Sequence, residues 1–429
     1  MKTKTNLILN QVLQEIKPNK AEFKEIDLLV KGFLAKIKKR IKTSKTDAEI
    51  FVGGSFAKNT VIRKNNYDLD IFLRFGKKHQ ENEISKLTKK LLKGIKNVST
   101  IHGSRDYFRV AVKKDLFFEL IPVRRVKNPK ESSNITDLSY SHVKYINKKI
   151  KSEKVLDEIR LAKAFCYANH CYGAESYIHG FSGYALELLV YYYGSFEKFI
   201  KAMAKVNLKD KLIIDIEKHH KNKKDVLMDL NASKLHSPII LIDPTYKQRN
   251  ALAALSSETL VKFQKDCKKF LKTPSINSFK LKKTDLDGMK KQAKKNKNEF
   301  LLIEIKTSKR EGDVAGSKLL KFYQHLNEEI KKVFIIKNQG FDYNQNKSAI
   351  CFFVVKKKKE IIMDGPFIKD KQNLKKFKRK HKKTFTKEKR VYAKKQIKFN
   401  LEKFVNFWSN KNKPKIKEMA ITGLKIIHL

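Results

Sequence analysis

Apolar residues in the first third of the chain change repeatedly between helical and strand spacing. Residues 21–42 place apolar groups three or four positions apart, which predicts an amphipathic helix with a basic last turn. Strands are predicted at 49–52, 67–75, 107–112 and 116–123, and a second helix at 83–95. The first strand runs directly into Gly53-Gly54-Ser55. The pattern therefore predicts an α/β domain over residues 1–150.

The pattern becomes mostly helical after Ser152. Helices are predicted at 158–168 and 182–193, and another follows Ser256, an N-cap residue with Glu258 in the first turn behind it. Pro274 and Ser275 are typical of a domain boundary. The sequence therefore predicts a helical central domain over residues 151–275.

The remaining residues, 276–429, return to an α/β pattern. Strands are predicted at 300–305, 333–336 and 349–355, with a helix at 316–332. This order is similar to a small α/β RNA-binding module, although two-layer α/β domains are too common for the order alone to identify one. The predicted fold class is α+β, with several domains.

The net charge of +53, from 97 Lys and Arg against 44 Asp and Glu, favours a polyanionic partner. Only 12 of the basic residues are Arg, so the codon bias of an AT-rich genome could also supply surface lysines. Residues 351–400 hold 19 basic and 4 acidic residues, a larger excess than the chain average. Charge indicates nucleic acid or an anionic surface and does not decide between them.

Two features argue against a membrane partner and favour the cytoplasm. Leu7-Ile8-Leu9 is too short for a signal peptide, and the apolar run 184–193 is interrupted by Glu187 and too short to span a bilayer. The four cysteines form no C-x-x-C pair, which predicts free thiols.

The stretch from Gly53 to Thr60 has the residues of a phosphate-binding turn. Glycines after a strand allow the backbone to approach a phosphate closely, and the start of the following helix favours anions. Ser55 and Lys58 add a hydroxyl donor and a positive charge. A glycine-serine turn alone is more often only a turn.

Asp68 and Asp70 follow on a predicted strand, two residues apart and therefore on one face. No basic residue lies between or beside them in sequence. Adjacent carboxylates repel unless a cation separates them, and carboxylate oxygens suit Mg²⁺. Taken alone, this pair is more often a solvated strand edge.

Together, the glycine-serine turn and the two aspartates, with twelve residues between Ser55 and Asp68, resemble the signature of the DNA polymerase β-like nucleotidyltransferase superfamily. That resemblance implies a third carboxylate on a later strand. Glu119, within Phe117–Pro122, lies where the superfamily usually has Asp. One alternative remains open, in which Glu119 only closes a salt bridge and Asp115 is the third ligand.

Further motifs resemble the archaeal, class I CCA-adding enzymes over nearly the whole chain. They are Arg160–Lys163, Tyr172–Glu175, Gly180–Tyr184, Glu187–Leu189, Asp243-Pro244, Arg249-Asn250 and Asp364–Pro366. The resemblance implies a nucleotide site formed by Gly54, Ser55, Lys58, Ser139, His142, Lys163, Tyr172 and Arg249, in which Arg249 reads the base. Lys163 could instead be an ordinary surface lysine, and His142 a surface or helix-capping histidine.

Lys163 and Tyr172 can reach one ligand only if the helix ends between them, and Asn169-His170 is the predicted stop. The chain departs from the family at Ser139-Tyr140, where Thr-Pro is usual. It also has Asp106-Tyr107 in place of a His-Pro-Tyr element.

The function implied by the resemblance is addition of C, C and A to the 3′ end of tRNA. Asp68, Asp70 and Glu119 would hold two Mg²⁺, and CTP and ATP would be the substrates. The basic C-terminal region would bind the tRNA acceptor end. A poly(A) polymerase, an oligoadenylate synthetase and an inactive RNA-binding protein are the alternatives, and a homodimer is left open.

Overall fold

The computed structural model describes residues 4–64, 66–102, 105–281 and 284–428, and the elements given below lie within these ranges. The chain divides into two units, Met1–Lys282 and Lys283–Leu429. The predicted boundary after residue 275 lies close to this division. The boundary after residue 150 falls inside the first unit, which contains separate large hydrophobic clusters. The three-domain division therefore stays a prediction.

The first unit begins with two helices and a mixed sheet. These elements are α1 (Lys4–Ile16), α2 (Lys20–Thr43), β1 (Ala48–Val52), α3 (Gly54–Ala57), β2 (Tyr67–Phe75), α4 (Glu81–Leu91), β3 (Val98–Ile101), β4 (Tyr107–Lys113) and β5 (Leu116–Arg124). The strand order is β1-β2-β5-β4-β3, with β2 and β5 parallel and the other neighbours antiparallel. The predicted strands are confirmed, and β3 and α1 are additional.

The alternation along β2 divides its side chains between two faces of the sheet. Leu69, Ile71 and Leu73 are buried in one hydrophobic cluster together with apolar residues of α2. Asp68 and Asp70 occupy the alternate positions of the strand, so their side chains lie on the opposite face of the sheet. The apolar side chains fix β2 against the hydrophobic core, and the two aspartates lie on the face of the sheet that forms the candidate site.

The rest of the first unit is mostly helical. It contains α5 (Ser139–Lys149), α6 (Glu153–Ala168), α7 (Gly183–Tyr193), α8 (Phe196–Met203), β6 (Leu212–Ile214), α9 (Lys223–Asp229), β7 (Ile239–Asp243), β8 (Tyr246–Asn250) and α10 (Ser257–Lys272). The predicted cap of α10 is confirmed, since the Ser256 side chain accepts a hydrogen bond from Thr259 N. The small sheet β6-β7-β8 was not expected in a helical domain.

The second unit contains two sheets. Its elements are α11 (Leu286–Lys295), β9 (Glu299–Thr307), α12 (Asp313–Val333), β10 (Phe334–Tyr343), β11 (Ser348–Lys357), β12 (Glu360–Phe367), α13 (Lys371–Lys380), β13 (Thr384–Lys387), β14 (Arg390–Gln396), α14 (Leu401–Lys411), α15 (Lys413–Glu418) and β15 (Ile421–Ile427). One sheet has the order β10-β11-β9-β15 and the other β12-β14-β13. The α/β pattern predicted for this region is confirmed.

The four cysteines are buried free thiols, as their spacing predicted. Burial raises the pKa of each thiol, so they pack as small apolar side chains rather than reacting as nucleophiles. Within the described ranges, no helix has both the length and the apolar character needed to cross a membrane.

Candidate active site

The three predicted metal-binding carboxylates share one face of the first sheet. The parallel register of β2 and β5 places Asp70 beside Glu119, and Asp68 lies two residues before Asp70 on the same face. Asp115 lies in the turn before β5, four residues from Glu119, or roughly 13 Å along an extended chain. The structure thus brings Asp68, Asp70 and Glu119 together and leaves Asp115 at the end of the strand.

A guanidinium group lies among these carboxylates. Arg109 of β4 pairs in register with Glu119, and its Nε is 3.7 Å from Glu119 Oε1. Its Nη2 donates a hydrogen bond to Asp68 Oδ1, and its Cζ lies 4.0 Å from the centre of the Phe117 ring. Arg109 reaches Asp68 from β4, which is separated from β2 by β5, so the sequence shows no basic residue next to the aspartates.

The electrostatics of this face favour a cation. Burial raises the pKa of Asp70 to about 6, and the charge of Asp68 adds to the effect. Burial raises the pKa of Glu119 to about 8, with further contributions from Asp70 and Asp68. When ionised, three carboxylates opposite one guanidinium leave two excess negative charges. This oxygen donor set fits divalent metal ions.

The carboxylates do not form a metal site in their present positions. In the part of the chain that is described, no group of three His, Cys, Asp or Glu side chains is arranged to hold a metal ion. The side chain of Asp68 is hydrogen-bonded to Arg109. Metal binding would therefore require Asp68 to turn from Arg109 towards Asp70 and Glu119.

The glycine turn fits closely around Asp70. Gly54 has a φ of +57°, and a Cβ on it would lie 1.8 Å from Asp70 Oδ2. Gly53 N donates to Asp70 O at 2.8 Å, and a Cβ on Gly53 would lie 2.2 Å from the Phe72 ring. The turn needs glycine both for its backbone conformation and for its close approach to the carboxylate. It leads directly into Ser55 and α3.

We expect Gly54→Ala to cause a large loss of nucleotide addition, the activity that the sequence resemblance implies, with only a small loss of stability. The left-handed backbone costs an alanine about 1–2 kcal/mol, and the added methyl group must also displace the Asp70 carboxylate. Gly94→Ala is a matched control, since Gly94 has a φ of +74° and no atom within 4 Å of its Cβ position. Turnover and thermal unfolding should be measured for both variants. Equal turnover in the two variants would contradict the close fit around Asp70.

Two of the predicted phosphate-binding lysines share one buried carboxylate. Lys58 Nζ donates to Glu187 Oε2 at 2.6 Å, and Lys163 Nζ donates to Glu187 Oε1 at 2.7 Å. Thr60 Oγ1 donates to Glu187 Oε1 at 2.9 Å and accepts from Lys163 at 2.6 Å. Lys163 is only 2% exposed, so the alternative of an ordinary surface lysine is wrong.

This cluster carries excess positive charge. Burial alone would raise the pKa of Glu187, but the charges of Lys163 and Lys58 outweigh burial and lower it to about 2. Burial lowers the pKa of Lys163 to about 8. Two ammonium groups against one carboxylate leave one positive charge when all three are ionised. A phosphate group placed here would compensate that charge.

Tyr172 reaches the same cluster because the preceding helix ends as predicted. α6 stops at Ala168, Asn169 is its C-cap, and His170 adopts a left-handed φ of 55°. A Cβ on Gly183 would lie 2.9 Å from Tyr172 Oη and 3.9 Å from Lys163 Cε, so both side chains converge beside Gly183.

A second network joins the predicted base-reading arginine to His142. The Asp243 carboxylate accepts a hydrogen bond from Arg249 Nη1 at 2.6 Å and lies 3.0 Å from His142 Nε2. Tyr184 Oη donates to Asp243 Oδ1 at 3.0 Å. His142 is buried, so its alternative as a surface residue is wrong. Ser139 lies one helical turn before His142, at the start of α5.

Tyr184 connects the two networks. Its ring stacks on His142 with centroids 4.0 Å apart. Lys58 Nζ and Arg249 Cζ each lie 5.9 Å from the centre of the same ring. The predicted nucleotide-binding residues of the sheet and of the helical part therefore meet in one region of the first unit. Tyr184, Glu187 and Asp243 occur in the sequence motifs but were not predicted to belong to the site.

Sequence comparison with known proteins gives two family matches and several similar relatives. Residues 34–157 match the nucleotidyltransferase domain family, and residues 157–280 match the family described as tRNA nucleotidyltransferase, second domain. The chain is 34% identical over 348 residues to the CCA-adding enzyme of Nanoarchaeum equitans, covering 79% of this chain and 81% of that protein. The chain belongs to the CCA-adding enzyme family. This confirms the resemblance seen in the motifs and makes the chain a nucleotidyltransferase.

Other relatives and a solved structure extend the comparison. The CCA-adding enzyme of Methanocaldococcus jannaschii is 28% identical over 404 residues, covering 90% of this chain and 86% of that protein. A structure of the RNA terminal uridylyl transferase Cid1 is 14% identical, covers 66% of this chain and all of its own, and has a TM-score of 0.51. That likeness concerns the fold alone, and it agrees with the nucleotidyltransferase fold class of this CCA-adding enzyme family member.

Proposed function

We propose that this protein adds C, C and A to the 3′ end of tRNA in the cytoplasm, using CTP and ATP and releasing pyrophosphate. The observation that carries the proposal is the proximity of two clusters of opposite charge, since the positive charges of Lys58 and Lys163 favour the ionised form of Asp70 that burial opposes. The carboxylate face of the sheet has excess negative charge, and the Lys58–Lys163–Glu187 cluster has excess positive charge. A metal-bound triphosphate needs the carboxylates to hold the metal ions and the lysines to bind the phosphates. The relatives named as CCA-adding enzymes supply the identity of the added nucleotides.

Asp68, Asp70 and Glu119 would hold two Mg²⁺. When bound, these ions supply the positive charge that makes the RNA 3′-hydroxyl more acidic and stabilises the departing pyrophosphate. To bind a metal ion, the Asp68 carboxylate would give up the hydrogen bond that it accepts from Arg109. Arg109 would then keep Glu119 as a partner, and it balances part of the negative charge of this face while the metal ions are absent.

Lys58 and Lys163 would bind the triphosphate, together with the hydroxyl groups of Ser55, Ser139 and Tyr172 and the ring of His142. Glu187 would hold the two ammonium groups at a fixed separation before the nucleotide arrives. Such preorganised charges stabilise the negative charge that develops during phosphoryl transfer without a later cost of reorganisation. Gly54 would let the phosphates approach the backbone beside Asp70.

Arg249 would read the base. Its Nη1 is held by Asp243, which leaves the other guanidinium donors for a ligand. Burial opposes ionisation of Asp243, but its hydrogen bond to His142 and the charge of Arg249 hold the pKa of this carboxyl far below its usual range. Asp243 thus stays an anion and fixes the direction of Arg249. Because there is no template, we expect this arginine and the RNA end to select the base together.

We expect Arg249→Ala to change which nucleotide is added more than it weakens tRNA binding. The substitution removes the donors that would contact the base edge but leaves the carboxylates and both lysines in place. Sequencing the reaction products measures this directly. Lys247→Ala is the control, because Lys247 is exposed and lies two residues away on β8. Faithful CCA ends at normal rates from Arg249→Ala would remove Arg249 from the base pocket.

The proposed function is tested by incubating the purified protein with labelled CTP, ATP and a tRNA that lacks its 3′ end. The expected product is extended by C, C and A and then by nothing more. Long adenylate tails would instead indicate a poly(A) polymerase, and products from ATP without tRNA an oligoadenylate synthetase. No incorporation would contradict nucleotide transfer altogether.

The basic region of the second unit would bind tRNA phosphates. α13 has the sequence KQNLKKFKRK, and none of its residues is buried. Lys375, Lys376, Lys378 and Lys380 are exposed. A solvated surface of this kind can contact a phosphate backbone without a base-specific partner.

We expect replacement of Lys375, Lys376, Lys378 and Lys380 by Gln to weaken tRNA binding and to flatten its salt dependence. Each lost phosphate contact removes about 0.9 from the slope of log K against log salt for duplex RNA or DNA. The control replaces Lys86, Lys89, Lys90 and Lys93, which are exposed lysines in or next to α4. Both variants lose the same charge. Equal affinities and equal slopes would mean that the α13 lysines only reflect codon bias.

A further inference from the structure

A groove in the second unit combines aromatic and basic side chains. It has a volume of about 290 Å³ and is lined by His325, Glu329, Phe404, Phe407, Trp408, Lys411, Asn412 and Lys415. These residues come from α12, from α14 and from the start of α15. Neither the carboxylate face nor the lysine cluster of the first unit includes any of them.

Helical spacing explains why these residues lie together. Phe404, Phe407, Trp408 and Lys411 recur at intervals of three and four along α14 and so share one face. Trp408 is buried and its ring lies 6.3 Å from that of Phe322 in the core. Phe407, its neighbour, is 68% exposed. A rigid, buried indole therefore lies beside a phenyl ring with a free face.

The charges around the rings favour an anion. Lys411 and Lys415 line the groove. Glu329 is the acidic residue of the lining, and it is already paired with Lys332 at 2.7 Å. His325 lies beside Trp408, with ring centroids 5.7 Å apart, and its buried Nε2 has no hydrogen-bond partner among the described residues.

We propose that this groove binds one unpaired nucleotide of an RNA chain. Its base would stack on Phe407, and the phosphates on either side of it would contact Lys411 and Lys415. Base–aromatic stacking next to basic side chains is the usual way in which proteins hold single-stranded nucleic acid. The volume of about 290 Å³ lies just below the range for ligand pockets, about 300–1,000 Å³, and such a small groove suits a single nucleotide.

This proposal goes beyond the proposed function. Transfer to a 3′-hydroxyl needs the first unit's site, and phosphate contacts by α13 need no aromatic ring. A stacking groove adds recognition of a base that is not paired within a stem. Its occupancy can therefore be measured without any nucleotide transfer.

Trp408 is the single tryptophan of the chain, so its fluorescence reports on the groove directly. The full chain is titrated with an unlabelled oligoadenylate hexamer, in EDTA and without CTP. We expect saturable quenching. Phe407→Ala should weaken the hexamer's apparent affinity about 5- to 150-fold, the effect of removing one base–aromatic stack. Phe407→Tyr should restore it, because the tyrosine ring stacks equally well.

Lysine variants separate local contacts from general charge. Lys411→Ala with Lys415→Ala should weaken quenching more than Lys413→Ala with Lys417→Ala, which removes the same charge from exposed positions of α15. ATP that quenches as tightly as the hexamer would point to a free nucleotide and overturn the RNA assignment. Equal quenching by inorganic polyphosphate would overturn the stacking role, and so would a Phe407→Ala variant that binds the hexamer normally.

Discussion

Asp70→Asn should lower the rate of nucleotide addition by about 10³-fold, the upper end of what a single electrostatic group contributes to catalysis. Asparagine keeps the shape of the side chain but removes the negative charge opposite Glu119. The proposed metal ions would then lose a ligand at the centre of the site. Because Asp70 lies in the first unit, away from the lysines of α13 in sequence, tRNA affinity should stay close to its original value.

Asp115→Asn provides the matched control for this prediction. Asp115 is exposed in the turn before β5, so its amide variant should keep nearly full activity. Glu119→Gln, in contrast, should behave like Asp70→Asn. Rates are measured with saturating CTP and truncated tRNA, and folding is checked by thermal unfolding. If Glu119→Gln were active and Asp115→Asn inactive, the third metal ligand would be Asp115 and not Glu119.

The carboxylates show which parts of a site can be predicted from sequence. The positions of Asp68 and Asp70 on one face follow from strand alternation, which is a local property. The contact of Arg109 with Asp68 depends on the pairing of β2 with β5 and of β5 with β4, which together bring close two residues that are 41 positions apart. A single sequence contains the strand pattern, but it does not give the order of strands in the sheet.

Glu187 and Asp243 show that the partners of a buried carboxylate are hard to predict from sequence. Each stands in a motif that the sequence showed, and a buried carboxylate must be paired with a cation or a hydrogen-bond donor. Glu187 interrupts an otherwise apolar helix, and that is the signal by which it could have been found. Its partners Lys58 and Lys163 come from distant segments of the chain. The sequence therefore did not show that both lysines form ion pairs with one carboxylate.

The small sheet of the first unit was missed because its strands are short. β6 has three residues, and β7 and β8 have five each. β8 is partly polar, and its conformation depends on pairing with β7 rather than on its own alternation. This matters for function, because Arg249 projects from β8 and Asp243 ends β7. The sequence predicted α2, α4, α6, α7, α10 and α12 correctly, but it missed α1, α5, α11, α13 and α14, although each of these helices has ten or more residues.

Glu187→Gln should cause the largest loss of stability among these changes, about 3–5 kcal/mol, as expected when one partner of a buried ion pair is removed. Glu187 is fully buried and holds two ammonium groups, so the variant leaves both without their counter-ion. Chemical unfolding measures the difference. Glu197→Gln is the control, because Glu197 forms an exposed pair with Lys201. Its expected change is within about 1 kcal/mol.

Low pH should reduce the difference in stability between the original chain and Glu187→Gln. The pKa of Glu187 in the folded chain is lowered to about 2, below its ordinary value of 4.5. A depressed carboxyl pKa contributes stability that is present above the ordinary pKa and is lost as the pH falls towards the folded value. The stability gap between the original chain and Glu187→Gln should therefore narrow between pH 4.5 and about 2. A gap that stayed constant over this range would mean that charge is not the cause.

Inorganic pyrophosphate should raise the unfolding temperature of Glu187→Gln more than that of the original chain. The variant has two buried ammonium groups and no carboxylate between them, so a polyphosphate bound there supplies the missing negative charge. Ligand that binds only the folded state stabilises it in proportion to the logarithm of its concentration over Kd. The measurement is made in EDTA, so that the carboxylate face takes no part through metal ions. Equal shifts in the two proteins would show that Lys58 and Lys163 do not face the phosphates, and that Glu187 is needed only for folding.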